Sequence, residues 1–216
     1  AGVFAPLDED IYPIISELAK EGGMNLRIDA SYAVKSMDKL KDAVPTLNEY
    51  QKFNHGIFRI NTFKSYVDGT MEARSAAMDE DYLDTPGNKG TLALSGDEFL
   101  ATLIDLAKND YNIHLHAMGP RSIHEVLTAG AKVREAGYND VTITNGHTQL
   151  VRDEDMDMFK KYNIIPNTSA LWHLYTGEHY IPSLGEERWK KLFRYESLAK
   201  DGVGVTIGTD YPAAEG

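Results

Sequence analysis

The sequence predicts an α/β fold in which helices cover a parallel sheet. Strand-like runs alternate with helix-like runs along the 216 residues. Each strand-like run is followed by a helix or a long loop, which parallel strands need for their crossovers. Hydrophobic residues make up 42% of the chain, enough for a large core. No repeat or Pro/Gly-rich linker divides the chain, so we treat residues 1–216 as one unit.

Six segments have the composition of strands. They alternate apolar and polar residues or form short apolar runs, and turn residues bound them. Six strands are too few to close an eight-stranded barrel, and no Gly-rich phosphate loop follows the first strand, as a nucleotide-binding fold would require. The segments are residues 25–34, 58–67, 112–117, 141–144, 163–167 and 203–207.

The helical segments are recognised by their spacing and by their ends. Residues 8–20 place apolar side chains at helical spacing, and two glycines end this helix. Ser36 is a candidate cap for a helix that Pro45 should kink or divide. Ser95 and Glu98 form a capping box for the next helix. The predicted helices are residues 8–20, 36–53, 95–108, 122–135, 153–162 and 186–200.

The composition excludes several classes of protein. The chain has 33 acidic and 22 basic residues, a net charge of −11, whereas a nucleic-acid-binding protein needs clustered Lys and Arg. Without cysteine, disulfides and thiolate sites are excluded. No run of about 18 apolar residues is present, so we expect no membrane contact, and residues 1–10 do not resemble a signal peptide. The compartment stays open, with the cytoplasm favoured.

Residues able to do chemistry lie at the strand ends. His116, His147 and Asp210 each sit at or just past the C-terminal end of a predicted strand, and Lys64 lies inside another. In barrel enzymes the active site is built at that end of the strands, from residues far apart in sequence. Two imidazoles, a carboxylate and a lysine converging there suit a divalent metal such as zinc. The sequence therefore predicts a metal site at the strand ends.

Other interpretations stay open for single residues. A lone strand-end histidine is more often structural than a ligand, Asp210 could form a turn, and Lys64 could be solvated. His114 could chelate a metal together with His116, since residues i and i+2 of a strand face the same side. We expect His116, nearer the strand end, to be the ligand and His114 to lie one layer deeper.

Two further segments are candidates for substrate contacts. Trp172 and His173 follow a strand end and could line a substrate pocket, with simple exposure as the alternative for His173. Residues 79–96 could form a lid or an ordinary surface loop. Nothing in the sequence identifies the substrate.

Five stretches resemble the amidohydrolase superfamily, and within it the amidohydrolase-3 group of YtcJ-like metal-dependent hydrolases. Their order and spacing match that group from about residue 25 to the end of the chain. The stretches are KSYVDGTMEARSAA at 64–77, HAMGPRS at 116–122, GHTQLV at 146–151, ALWH at 170–173 and GTDYPA at 208–213.

The resemblance implies a fold and a set of residue roles. The fold is a TIM (β/α)8-type barrel, incomplete here, with about strands three to eight present and the first two strands and a small β-sandwich domain absent. Lys64 is implied to be carboxylated and to bridge two metal ions, with His116 and His147 binding the second ion. Asp210 is implied to bind the first ion and to act as general base. One or two divalent ions, with zinc favoured, would activate water to hydrolyse C–N bonds of small non-peptide amides.

The chain also departs from the family. The family has a His-x-His pair on its first strand, but the only such pair here is His114–His116. Pro120 stands where the group usually has Asp, and Gly146 where it has Glu. We therefore expect little or no hydrolase activity from this chain alone, whether it is an internal piece of a longer hydrolase or a naturally short product.

Two rival functions remain at this point. The chain could be a catalytically inactive barrel fragment that serves as a binding or assembly scaffold. It could also be a sugar- or carboxylate-binding α/β domain in which the histidines are structural. Open sheet edges further predict association, with a second copy or with the remainder of the same chain.

Overall fold

The computed structural model describes residues 2–4, 10–169, 172 and 177–210. Its seven strands form one sheet in chain order, and every neighbouring pair is parallel. This confirms the α/β class and the parallel sheet. The strands are β1 Gly2–Phe4, β2 Ile28–Val34, β3 Phe58–Tyr66, β4 Asn112–Ala117, β5 Ile143–His147, β6 Ile164–Thr168 and β7 Thr206–Ile207.

Strand β1 lies outside the six predicted segments. It has three residues, too few for an alternating pattern to be visible, and it pairs with β2 so that Gly2 lies opposite Ile28. The prediction of six strands was therefore one strand short. β1 and β7 are the outer strands of the described sheet.

The predicted helices are present, with two changes. The segment from 36 to 53 is divided, because Pro45 is accommodated in the first turn of a separate helix. The segment from 186 to 200 is wrong as one helix, because Phe193 has a φ of 56° and interrupts it. The helices are α1 Ile11–Lys20, α2 Ala43–Tyr50, α3 Gly96–Lys108, α4 Pro120–Glu135, α5 Met156–Lys161, α6 Ile181–Leu184, α7 Glu186–Trp189 and α8 Tyr195–Lys200, with short 3-10 helices at Met37–Asp42, Gln51–Phe53, Asp153–Asp155 and Gly177–Tyr180.

The start of α3 differs from the capping box that the sequence predicts. Ser95 is the residue before the helix, in an extended conformation, but its side chain makes no capping hydrogen bond. Instead, the backbone N–H of Gly96 donates to Oε1 of Glu125 in α4, at 3.2 Å. The start of α3 is thus held by the neighbouring helix.

Two apolar cores hold the fold together. The larger lies between the sheet and the helices and includes Phe58, Phe63 and Phe99, all fully buried. The smaller lies among the segments that follow β3, β4, β5 and β6. Its members are Met71, Ala76, Met78, Tyr82, Met118, Leu150, Tyr180, Leu184 and Leu192.

The smaller core fixes the segment from 79 to 96, which the sequence left as a lid or a loop. Tyr82 is fully buried, and its hydroxyl donates to the carbonyl of Ala76 at 3.0 Å. The N–H of Leu83 donates to the carbonyl of Ser183 at 2.8 Å, next to α6. This segment is packed in place near the strand ends.

Across the described ranges, no helix has both the length and the apolar character that a bilayer crossing requires.

Candidate active site at the strand ends

Lys64 and two histidines lie on one face of the sheet, in two layers. In the register of β3 and β4, Lys64 lies opposite His114, and Tyr66 lies opposite His116. Since residues i and i+2 of a strand share a face, all four side chains point to the same side. His114 and Lys64 form the deeper layer, and His116 lies one layer nearer the strand end. Both Lys64 and His116 are buried.

His147 reaches this face by an unusual backbone conformation. A Cβ atom on Gly146 would lie 2.8 Å from Nε2 of His114, so position 146 points into the site. Strand alternation would then send His147 to the opposite face. However, His147 has a φ of 70° and Thr148 a φ of 47°. This left-handed turn explains how the His147 ring comes to lie 4.6 Å from the His116 ring, centroid to centroid.

The strained turn is held by its neighbours. A left-handed residue other than glycine costs on the order of 1 kcal/mol, so such a turn persists only where surrounding contacts fix it. The Thr148 hydroxyl donates to the carbonyl of Asn145 at 2.9 Å. The Tyr195 hydroxyl, at the start of α8, donates to the carbonyl of His147. Contacts from both sides therefore keep His147 turned toward His116.

Burial controls the charges in the site. It lowers the pKa of Lys64 to about 8, although the nearby Asp210 carboxylate favours the charged amine. Burial also lowers the pKa values of His147 and His114 well below the ordinary imidazole value, and the positive charges of His116 and Lys64 act in the same direction. His147 and His114 are therefore neutral at neutral pH, the form in which an imidazole can bind a metal.

Asp210 lies just after β7 and contributes an acid to the same site. Its φ is 55°, in the left-handed region. Partial burial raises the pKa of its carboxyl, while the positive charges of Lys64 and His116 oppose that rise. Burial also raises the pKa of Tyr66, and the charge of Asp210 adds to this effect. Asp210 is thus electrically coupled to the Lys64 layer.

Of the two residues predicted to contact substrate, the structure describes only Trp172. The Trp172 ring lies 6.2 Å from the His147 ring, centroid to centroid, with the rings at 71°. Trp172 is half-buried and borders the site. His173 lies outside the described residues, so its prediction stays open.

The donor set suits a divalent metal but does not form a complete group of ligands. Nδ1 of His147 lies 3.2 Å from the hydroxyl of Ser169, and Nδ1 of His116 lies 3.2 Å from Oδ1 of Asp68. In His147 Nε2 is therefore the atom available to a metal, whereas Nδ1 of His116 faces Asp68 without forming a hydrogen bond. Within the part of the chain that the structure describes, no three His, Asp or Glu side chains are close enough together to hold an ion. The described residues thus bring two imidazoles together at the strand ends, one short of the smallest usual set of ligands.

Asp68 is a site residue that sequence reasoning did not single out. It follows β3 directly, its side chain has no exposed surface, and its carboxylate lies against His116. The available signal was the position of an Asp-Gly pair directly at the exit of the strand that carries Lys64. Contacts between loops, which the sequence does not show, give this aspartate its place.

Replacing Lys64 with methionine is expected to stabilise the chain below pH 8 by about 3 kcal/mol in CO2-free buffer. The folded state holds the amine at a pKa of about 8, whereas the unfolded chain holds it near 10.5. Between those values the unfolded state binds more protons, so the stability of the unmodified chain rises with pH. The advantage of the methionine variant should therefore shrink from pH 8 and vanish near 10.5. Urea unfolding of both proteins across this range measures it.

Lys52 supplies a matched control for that experiment. The Lys64 amine lies 5.3 Å from the centroid of the Tyr66 ring, and the Lys52 amine lies 5.0 Å from that of Phe53, but the Lys52 side chain is exposed. Lys52→Met should change the free energy of unfolding by less than about 1 kcal/mol. Equal effects at the two lysines would show that Lys64 carries no burial cost.

Comparison with known proteins agrees with this fold and site. The sequence profile of the Amidohydrolase family matches residues 7–215. The chain belongs to that family, which confirms the resemblance seen in the sequence.

Individual relatives are similar at low identity. The exoenzymes regulatory protein AepA of Pectobacterium carotovorum is 25% identical over 198 residues, which are 89% of this chain and 42% of AepA. YtcJ of Bacillus subtilis, whose name assigns it to the amidohydrolases, is 25% identical over 79% of this chain and 32% of its own. The chain thus spans less than half the length of these relatives.

A solved structure shows the same fold. An uncharacterized metal-dependent hydrolase from Pyrococcus furiosus superposes with a TM-score of 0.80 at 23% identity, over 98% of this chain and 42% of its own. The parallel sheet and its helices are therefore consistent with part of a TIM-like amidohydrolase barrel.

Proposed function

We propose that this chain carries the metal-binding strand ends of a hydrolase that cleaves C–N bonds in small non-peptide amides. The observation that carries the proposal is the convergence of Lys64, His116 and His147 on one face, with His147 held neutral by burial. Membership of the amidohydrolase family supports hydrolysis as the reaction. The choice of amide or formamide substrates rests on the resemblance alone.

His116 and His147 would hold a divalent ion through Nε2, with Lys64 as a third ligand. This ion, with zinc favoured, and another ion nearer Asp210 would lower the pKa of bound water and polarise the amide carbonyl. Zinc sites normally use three or four protein ligands. The site nearer Asp210, with only that aspartate and a shared Lys64 carbamate, should therefore bind its ion weakly in this chain.

The Lys64 amine is suited to carboxylation because its pKa is low. At about pH 7.5 a pKa of about 8 leaves about a quarter of the amine neutral, compared with about 0.1% for an ordinary lysine. The neutral nitrogen forms a bond to the carbon of CO2 and loses a proton to solvent. The product is an anionic carbamate, which can bind a cation where the ammonium group cannot.

Asp210 would serve as general base. A carboxylate with a raised pKa accepts a proton more readily than an ordinary aspartate does. It would take the proton from the attacking water and pass it to the leaving nitrogen. Trp172, beside His147, would border the acyl side of the substrate.

We further propose that the rest of the barrel and a small β-sandwich domain belong to a longer protein, as the relatives' greater length suggests.

A catalytically inactive scaffold is the second candidate function. It is favoured by one observation, namely that the described residues hold no ready group of three metal ligands. In that case the strand ends would keep the architecture of the site without the chemistry, and the open edges of the sheet would serve in assembly.

Expression in medium that contains zinc and bicarbonate, followed by metal analysis and native mass spectrometry, distinguishes the hydrolase from the inactive scaffold. The hydrolase proposal expects bound zinc and a mass increase of one CO2, both lost in Lys64→Met but kept in Lys52→Met. The 216-residue chain should still turn over N-acyl and formamide substrates slowly or not at all. A metal-free protein under these conditions would favour the scaffold, and fast turnover would contradict the predicted inactivity of the chain alone.

A further inference from the structure

The carboxylate of Asp68 gathers donors from two loops. Its Oδ2 atom accepts hydrogen bonds from the N–H of Ala77 at 3.0 Å, the N–H of Gly119 at 2.9 Å and the hydroxyl of Ser122 at 2.5 Å. Its Oδ1 atom accepts one from the N–H of Met118 at 3.1 Å. The group therefore ties the loop after β3 to the end of β4 and the start of α4.

This arrangement leaves one position open on the carboxylate. Each oxygen of an ionised carboxylate can accept about two hydrogen bonds, so Oδ2 is filled, while Oδ1 has capacity for one more. Nδ1 of His116 lies 3.2 Å from Oδ1. Nδ1 of His116 makes no hydrogen bond in the structure, but at this distance its charge or lone pair interacts directly with the carboxylate.

We propose that Asp68 is a positioning residue that fixes the tautomer of His116. A proton on Nδ1 is attracted by the carboxylate oxygen, whereas a lone pair on Nδ1 would face the same oxygen and be repelled. The Nδ1–H form is therefore favoured, and Nε2 presents its lone pair to the site. The use of that lone pair for a metal rests on the proposed function, but the tautomer itself does not.

Asp68→Asn should reverse this preference. The three donors at the Oδ2 position require an acceptor, so the amide oxygen of asparagine takes that place and its NH2 group turns toward Met118 and His116. The NH2 group donates to Nδ1, which then has to be an acceptor. The proton of His116 moves to Nε2, the atom that a metal would need.

Nitrogen NMR of the full chain labelled with 15N-histidine tests the proposal without any activity. At about pH 8.5 free imidazoles are neutral, and the shifts of Nδ1 and Nε2 show which atom carries the proton. His116→Gln assigns the signal. We expect Nδ1–H in the unmodified chain and mainly Nε2–H in Asp68→Asn. An Nε2–H tautomer in the unmodified chain, or an unchanged tautomer in a folded variant, would overturn the proposal.

Ser122→Ala is the matched structural control. It removes one donor to the same carboxylate without changing the atom that faces His116. It should lower stability and leave the tautomer unchanged, so a shift of the tautomer in this variant would reduce Asp68 to a structural role. If Asp68→Asn does not fold, the His116 tautomers of the unmodified chain and of Ser122→Ala still test the proposal, which requires Nδ1–H in both.

Zinc titration then separates this proposal from the proposed function. If His116 is a ligand, Asp68→Asn should bind zinc 10- to 100-fold more weakly than the unmodified chain, as loss of a partner behind a ligand generally does. If neither protein binds zinc but the tautomers differ as expected, Asp68 positions His116 and the metal function is wrong.

Discussion

Replacing His147 with alanine is expected to weaken zinc binding by more than about 100-fold. Loss of a hydrogen-bond partner behind a metal ligand already costs 10- to 100-fold, and removal of the ligand itself costs more. His116 lies close enough to pair with His147, at 4.6 Å between ring centroids. One imidazole cannot compensate, since a stable zinc site needs three or four ligands. Competition with a coloured chelator at about pH 7.5 measures the affinity.

The control for this experiment is a histidine outside the site. His55 is exposed in the loop before β3, so His55→Ala should leave zinc affinity unchanged. Circular dichroism checks that His147→Ala keeps its fold. Similar zinc affinity in the two alanine variants would show that the ions bind to surface histidines and that the strand ends hold none.

Replacing Gly90 with alanine is expected to destabilise the chain by about 4 kcal/mol. The residue has a φ of 67°, and an added Cβ atom would lie 1.9 Å from the carbonyl oxygen of Ala76. The left-handed conformation costs about 1 kcal/mol for alanine, and forcing an atom into a packed backbone costs up to about 3 kcal/mol more. Ala77, the next residue, donates to Asp68, so the strain also reaches the site.

Gly87 separates the two contributions. It lies in the same loop with a φ of 87°, but an added Cβ would meet nothing within 4 Å. Gly87→Ala should therefore cost only the conformational part, about 1 kcal/mol. Urea unfolding at a single pH compares the two variants. Equal losses would mean that the loop moves aside at Gly90, and that this segment is not packed against the strand ends as described.

The deeper part of the site was visible in the sequence because it depends on simple rules. Lys64 lies inside a strand, and His114 and His116 are two positions apart, so strand alternation alone places the histidines on one face. The position of each histidine relative to the strand end also gives the two layers. The parallel sheet follows from the alternation of strands and helices in the same way.

Features that depend on strain or on contacts between loops could not be predicted. His147 belongs to the site only because of its left-handed backbone, which no side-chain pattern indicates. Asp68 derives its place from backbone N–H groups that come from residues up to 51 positions away. The capping box at Ser95 does not form, and the contact that is present at the start of this helix comes from Glu125 of a neighbouring helix.

The close approach of Gly146 to His114 links two positions on neighbouring strands. The His114 imidazole fills the volume that a side chain at 146 would need, since a Cβ there would lie 2.8 Å from Nε2. Any larger residue at 146 therefore requires the His114 ring to move. Across homologous chains, positions 114 and 146 should covary. A bulky residue at 114 should accompany a small one at 146, and the reverse.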